Sequence, residues 1–459
     1  MAAFAATALV AAVLLTTGGV EAAPSGSPGT WTTVGVGGTE RPVGVIGAVR
    51  LHGTLHVAWV RRTGGNSYDL MHTAISAAGA VGTPTSVVSG WAGLGDAALV
   101  SSGGQLLAFF PGQHSTNTKD PFFGLNLATS ADAGASWSLH GGGSIYTGEF
   151  AYGRTPSVAL LGGTPIETWN GRSGQVVHVG LDPGAPVSVY GPSQCCNLNQ
   201  NIASDGSSVW AAWCSQNDAP AGRWVQAIDP ATGRPSGSPQ KLPGSEAPLC
   251  ESAGREPLVV RSGGGFYVAD AAGGASGTRV LLWRIGSATP LTVTASSDTH
   301  SRVALAAAPD GRLWVAWRTF HGASVIHLRR SNRSATRFGA EVTVKAPKAA
   351  VEVAHIDLDA QADRVDVLAS FSFVDSSQGT LFHTQAFPGL TLTARGGRVV
   401  SFLVTDAGDP VAGATVKVGG RTLRTNASGK ASIDLPRGRF KAVATKSAYV
   451  GATARVRSR

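Results

Sequence analysis

Apolar and polar residues alternate along this chain in short runs. Glycine-rich turns separate the runs, and no sustained 3.6-residue apolar period appears. A period of two predicts half-buried strands, so the pattern predicts an all-β protein. Compared with itself, the chain repeats. Each copy is an apolar strand, a tight turn, and a second strand running toward an aromatic residue. The copies begin with VRLHGTLHVAW (Val49–Trp59), VSSGGQLLAFF (Val100–Phe110) and VALLGGTPIETW (Val158–Trp169). IASDGSSVWAAW (Ile202–Trp213), VVRSGGGFYVAD (Val259–Asp270) and LAAAPDGRLWVAW (Leu305–Trp317) follow, and IDLDAQADRVDVLASF (Ile356–Phe371) is a longer version. A third strand comes after each copy, for example Trp224–Ile228 or Val280–Ile285. A short fourth follows, such as Leu291–Val293 or Val342–Val344. Four strands per unit, at a period of about fifty residues, predict a β-propeller of seven blades; six blades with one irregular unit is the alternative. Trp31–Val34 is one fourth-type strand too many, and it predicts a closing strand that pairs into the last blade. Leu390–Thr393 competes for that slot.

Composition agrees with many short strands and tight turns: the 459 residues include 61 Gly and 11 Trp but 2 Met. Phe4–Leu15 is an apolar run followed by small residues around Val20-Glu21-Ala22. It predicts a signal peptide over residues 1–22 and hence a secreted or cell-surface protein, although no Lys or Arg precedes the run. The run is shorter than the ~20 residues a spanning helix needs, and no later stretch could cross a bilayer. Four cysteines occur, Cys195, Cys196, Cys214 and Cys250. In a secreted chain they predict two disulfides, each vicinal cysteine pairing with one of Cys214 and Cys250. CxxC spacing is missing, so no metal site is expected. Charge is unevenly spread. Residues 395–459 hold thirteen Lys/Arg against three Asp/Glu, whereas residues 23–394 hold twenty-four of each. The basic character therefore belongs to the C-terminal segment, as a solvated face or as a surface for an anionic polymer.

Ser130-Ala131-Asp132-Ala133-Gly134-Ala135-Ser136-Trp137 resembles the Asp-box, S-x-D-x-G-x-[ST]-W, of sialidase-like (BNR-repeat) propellers. The resemblance implies a structural turn carried by Ser130, Asp132, Gly134 and Trp137, on the face opposite the family's catalytic site. Asp229-Pro230-Ala231-Thr232-Gly233 is a degraded copy. Residues 395–459 resemble a carboxypeptidase-regulatory-like or bacterial Ig-like domain, through Asp409-Pro410-Val411-Ala412-Gly413-Ala414-Thr415-Val416 and the turn Thr425–Gly429. The layout implied is a signal peptide (1–22), a propeller (23–394) and a small Ig-like β-sandwich (395–459).

Loops entering the first strands and leaving the second strands meet on one face. The entering loops offer Arg41, Arg154, Arg255 with Glu256, and His300 with Arg302. The leaving loops offer Arg61, Arg62, Tyr68, Asp69, His114, Asp120, Asn170, Asp218, Arg318, His321 and Asp375. Sialidases grip a substrate carboxylate with three arginines and attack with a Tyr–Glu pair. An Arg fork suits a carboxylate because two N–H groups meet two oxygens. Carried over, the resemblance offers Arg41, Arg255 and Arg302 as the arginines, Glu256 as the carboxylate, and Tyr68 or Tyr267 as nucleophile. Arg41-Pro42 lacks the flanking Phe and Ile of the family's F-R-I-P motif. Motifs for zinc proteases, serine hydrolases, nucleotides and dinucleotides are absent, so no cofactor is expected. His72, His178 and His327 fall in strands and are expected to be packed. Asn332-Arg333-Ser334 and Asn426-Ala427-Ser428 match glycosylation sequons, read as chance matches. The leading reading is a monomeric, non-catalytic binder of a glycan or cell-surface polymer, with no specific nucleic-acid partner. The alternatives are an exo-sialidase-type glycoside hydrolase and a protein-interaction scaffold.

Overall fold

The computed structural model describes residues 29–38, 43–114, 122–151, 155–171, 174–179, 187–189, 197–215, 221–246, 250, 254–273, 277–321, 324–347, 350–373 and 376–459. The fold is all-β, and its larger part is a β-propeller. Among the described residues, seven antiparallel sheets each run outward from a first strand to a fourth. The first strands are Gly47–Leu51, Ala98–Ser102, Ser157–Leu161, Asn197–Ser204, Leu258–Val260, His300–Ala307 and Ala350–Ala360. Each packs against the next, and the seventh packs against the first, so the ring is closed. Residues from all seven line one central channel of about 370 Å³.

The repeated second-strand aromatic explains the packing. Trp59, Trp169, Trp213, Trp317, Phe110 and Phe371 are all essentially fully buried. Large flat side chains at the ends of these strands fill the wedges between blades, and each is worth roughly 3 kcal/mol or more on burial. Closure uses the extra strand: Thr32–Val36 pairs antiparallel with Ser376–Ala386 and completes the seventh blade. Trp31 leads into it, edge-on to Phe371 at 5.1 Å, and its indole N–H donates to Lys345 O at 2.6 Å. The rival segment goes elsewhere. Thr391–Arg395 pairs with Val399–Asp406, because Leu390 and Leu392 bury their side chains in the C-terminal core.

That C-terminal unit is two four-stranded sheets packed face to face. Val400, Phe402 and Val404 of one meet Val416, Val418, Ala442, Ala444 and Val456 of the other. It docks on the sixth blade. Arg312, in the turn between that blade's first two strands, donates to Asp409 at 2.6 Å and to Asp310 at 2.5 Å. Arg330, at the end of its third strand, pairs with Asp406 and lies between the rings of Trp314 and Tyr449. Both turns belong to the end of the propeller away from the loops entering the first strands. The C-terminal unit therefore leaves the opposite, loop-bearing mouth uncovered.

Candidate functional site at the channel mouth

At the mouth, three first strands do not run straight. Pairing slips between Leu198 and Asn201, between Ser301 and Ala304, and between Val353 and His355. Such bulges re-aim side chains and are common beside functional sites. Asn199 and Arg302 take φ of +57° and +51°, which costs a non-glycine residue about 1 kcal/mol or more. Both side chains, with those of Glu256, Asp270 and His355, line a recess of about 30 Å³ at the channel entrance.

The fifth blade supplies the recess's carboxylates. Glu256 sits just before the first strand, held by its own N–H donating to Asn199 O and by Asn201 Nδ2 donating to its carbonyl at 2.7 Å. Leu258 pairs with Val268, which puts Glu256 level with Asp270. Arg223, on the third strand of the fourth blade, lies 3.1 Å from Glu256 Oε1 and also pairs with Asp270. All three are largely buried. Burial, and then the charge of Asp270, push the Glu256 carboxyl well above its ordinary range, with Arg223 opposing. Two facing carboxylates disfavour each other's ionisation, which is why the neighbouring Asp270 favours the protonated form of Glu256. Burial also pulls His355 down to about 3, helped by Arg302 and Arg255, so its imidazole is neutral at pH 7. Next to it on the channel wall, burial raises Asp357 to about 6.

Arg255 does not serve as a substrate arginine. Its guanidinium crosses the channel and donates to Ala97 O at 2.7 Å, Pro156 O at 2.9 Å and Ile46 O at 3.5 Å. It braces the first three blades against the fifth, and its charge is compensated by Asp357 and Asp96. Gripping a ligand would strand three buried carbonyls.

The tyrosines offered as nucleophiles lie apart from Glu256. Tyr68 is buried among Leu70, Trp91 and Phe110, between the first two blades. Tyr267 is three residues down the strand from Asp270, faces the sixth blade, and has Arg261 over its ring at 5.9 Å. Of the arginine set, Arg302 reaches the recess, Arg255 is the brace, and Arg41 lies outside the described residues, as do Arg154, Asp120, Asp218 and Asp375. Other loop groups pair locally: Arg61 with Asp69 at 2.7 Å, Arg318 with Glu352 at 2.9 Å, His321 with Asp298 at 2.8 Å. His300 is buried beside Trp317, and His114 is edge-on to Trp91. No group of three or more His, Cys, Asp or Glu side chains is placed to hold a metal among the described residues.

The strand histidines have partners: His72 with His56 at 3.1 Å, His178 with Glu167 at 2.9 Å, His327 with Glu341 at 2.7 Å. At the far end, Asp132 Oδ1 accepts from the Ser136 amide at 2.9 Å and from Ser130 Oγ at 2.7 Å. Gly134 takes φ +88°, and Trp137 packs edge-on to His72 at 5.3 Å. The sequon at Asn332 is a turn of the same kind. Asn332 is buried, its Oδ1 accepts from the Thr336 amide at 2.8 Å, and its Nδ2 donates to Ser334 and Thr336.

The cysteine pairing requires a correction. Cys214 is joined to Cys250, with Cα atoms 5.7 Å apart, so neither can take a vicinal cysteine as partner. Cys214 closes the second strand of the fourth blade and Cys250 precedes the fifth, which places them side by side. Cys195 and Cys196 lie outside the described residues. No helix among the described residues is long and apolar enough to cross a membrane.

Sequence reasoning missed Arg223, Asp270, Asn199 and His355. One signal was present. The second strand ends on an aromatic in six copies and on Asp270 in the fifth.

No family model matches the chain, and no curated protein matches it. Solved structures do. A protein of unknown function from Dyadobacter fermentans is 13% identical, with a TM-score of 0.42, covering 77% of this chain and 99% of that one. A GH43 enzyme from Xanthomonas citri is 11% identical, with a TM-score of 0.34, covering 80% and 90%. A Trypanosoma rangeli sialidase in complex with sialic acid is 10% identical, with a TM-score of 0.43, covering 75% and 54%. Likenesses this distant say nothing about activity.

Proposed function

We propose that this is a secreted glycan-binding propeller that recognises its ligand at the channel mouth without cleaving it. The observation that carries the reading is the recess itself. Bulged strands of three blades and the entrance of a fourth bring Asn199, Arg302, His355 and Asp270 to one rigid opening. Mixed donors and acceptors at the opening of a channel of about 370 Å³ suit a polyhydroxylated ligand. A neutral His355 can accept as well as donate, which suits hydroxyl groups. Against sialidase chemistry stand Arg255, already saturated by carbonyls, and Tyr68 and Tyr267, buried away from Glu256.

A second reading has one observation in its favour. Burial and the facing Asp270 favour the protonated form of Glu256, the form a general acid needs. The experiment separates the two. The purified mature protein is screened on a glycan array, and hits are followed by calorimetry and by product analysis. The binding reading expects an affinity that falls about tenfold or more in Arg302→Ala, the scale of one charge-assisted hydrogen bond, with the glycan recovered intact. Cleavage abolished in Glu256→Gln would replace it with the hydrolase reading. No hit would leave the mouth without a glycan ligand and would overturn both.

A further inference from the structure

The C-terminal unit carries a second, separate surface. In its sheet of Thr415–Val418, Arg421–Arg424, Gly438–Thr445 and Ala452–Ser458, every other residue faces out. Register sets Arg439 directly opposite Arg457 and Lys441 directly opposite Arg455. Lys417 and Arg424 stand on the same face, on the two neighbouring strands. No carboxylate occurs in any of these four strands. The unit's acids are placed elsewhere. Asp406 and Asp409 are spent on Arg330 and Arg312 of the sixth blade, and Asp434 is on the other sheet.

Like charges directly opposite one another destabilise a sheet. Two such pairs in successive rows, with no internal counter-ion, are a cost that folding does not require. The four cations rim a shallow trough of about 540 Å³. A larger hollow of about 640 Å³ on the other sheet has two cations, Arg395 and Lys430, among otherwise neutral residues in its lining.

We infer that the trough is a docking track for a linear acidic polysaccharide, one bearing a carboxylate or phosphate on each repeat. Rows two residues apart lie about 7 Å from each other, so the paired cations form a line that an extended polyanion can follow. The face has no outward aromatic to stack bases, since Phe440 turns into the core. It also has no exposed large apolar side chain to enter a bilayer. Because the unit docks on the propeller's far end, the track and the mouth can be occupied together: one tethers, the other reads a ligand. The track does not depend on the mouth being a glycan site.

The test is fluorescence anisotropy of the full mature protein with labelled polygalacturonate, and in a parallel arm with long-chain polyphosphate. Binding of polygalacturonate supports the track; polyphosphate is the control for bare charge, and tighter binding of it would overturn the polysaccharide assignment. Four neutralised charges predict a loss of about 50-fold in affinity between 50 and 200 mM salt. Arg455→Glu with Arg457→Glu lowers affinity about tenfold or more. That pair retains folding, because each new carboxylate faces a cation across the strands. Arg395→Glu with Lys430→Glu, on the outer face of the other sheet, makes the same change in net charge and leaves affinity within about twofold. Equal losses in the two charge-reversed proteins, tighter binding of duplex DNA than of either polymer, or no binding in either arm would overturn the inference.

Discussion

Arg255 shows how a residue's partners, more than its type, decide what it does. An arginine entering a blade beside a glutamate invites a substrate-binding role. Three backbone carbonyls from three other blades consume it instead. A lysine keeps the charge but cannot present a planar fork to three acceptors. Arg255→Lys is therefore expected to lower stability by about 2–4 kcal/mol, from buried carbonyls left unpaired. Urea denaturation measures it, and a loss under about 0.5 kcal/mol, the scale of an ordinary surface substitution, would refute the brace. The sequence placed Arg255 and Glu256 at a blade entrance, where they are, and Arg302 in an entering loop, whereas it stands at the bulge inside its first strand. Spacing could not reveal that Arg223 would reach across from the neighbouring blade, because that contact joins two repeats rather than lying within one. Asp270 was legible in principle, as the one copy where an acid replaces the aromatic. The Asn332 sequon, read as a chance match, is a buried turn-forming Asn.

At the scale of strands and turns, the repeat was legible because alternation and turn residues recur with it. The bulges were not. A slip of one residue in a first strand leaves no mark in a pattern whose inner face mixes apolar residues with Ser157, Asn201, His355 and Asp357. Those slips aim Asn199, Arg302 and His355 at the recess, so the unread feature is the functional one. The disulfide was half legible. Four cysteines implied bridges, but four allow three connectivities, and only strand placement selects Cys214 with Cys250. That bond closes the segment leading from the fourth blade into Glu256. Replacing Cys250 by Ser is expected to cost about 2–4 kcal/mol. A reducing agent should bring the wild type down to the variant's value, read from thermal melts of both. Identical melts for oxidised wild type and variant would show that the bridge does not support the fold.

On the scale of the whole molecule, the chain's two ends of the ring meet in one sheet. Thr32–Val36 completes the blade otherwise made by Ala350–Phe373 and Ser376–Ala386, so the first described strand holds the last blade in place. Without it, Ser376–Ala386 would be an open edge, and the seventh blade could separate from the first. The C-terminal unit would then hang from an unsecured blade, although its clamp on the sixth would persist through Arg312 and Arg330. The two attachments are thus independent, and they predict different losses. Removing residues 29–37 is expected to abolish amide-exchange protection across Leu381–His383, whose register partners are then gone. Protection at Ala442–Ala444, in the C-terminal core, should stay as it was. Hydrogen exchange resolved by peptide reads both at once. Unchanged protection at Leu381–His383 would mean the ring does not depend on its closing strand. Loss at both places would mean that closure and the C-terminal clamp form a single cooperative unit, with the basic track held in position by the propeller's own ring.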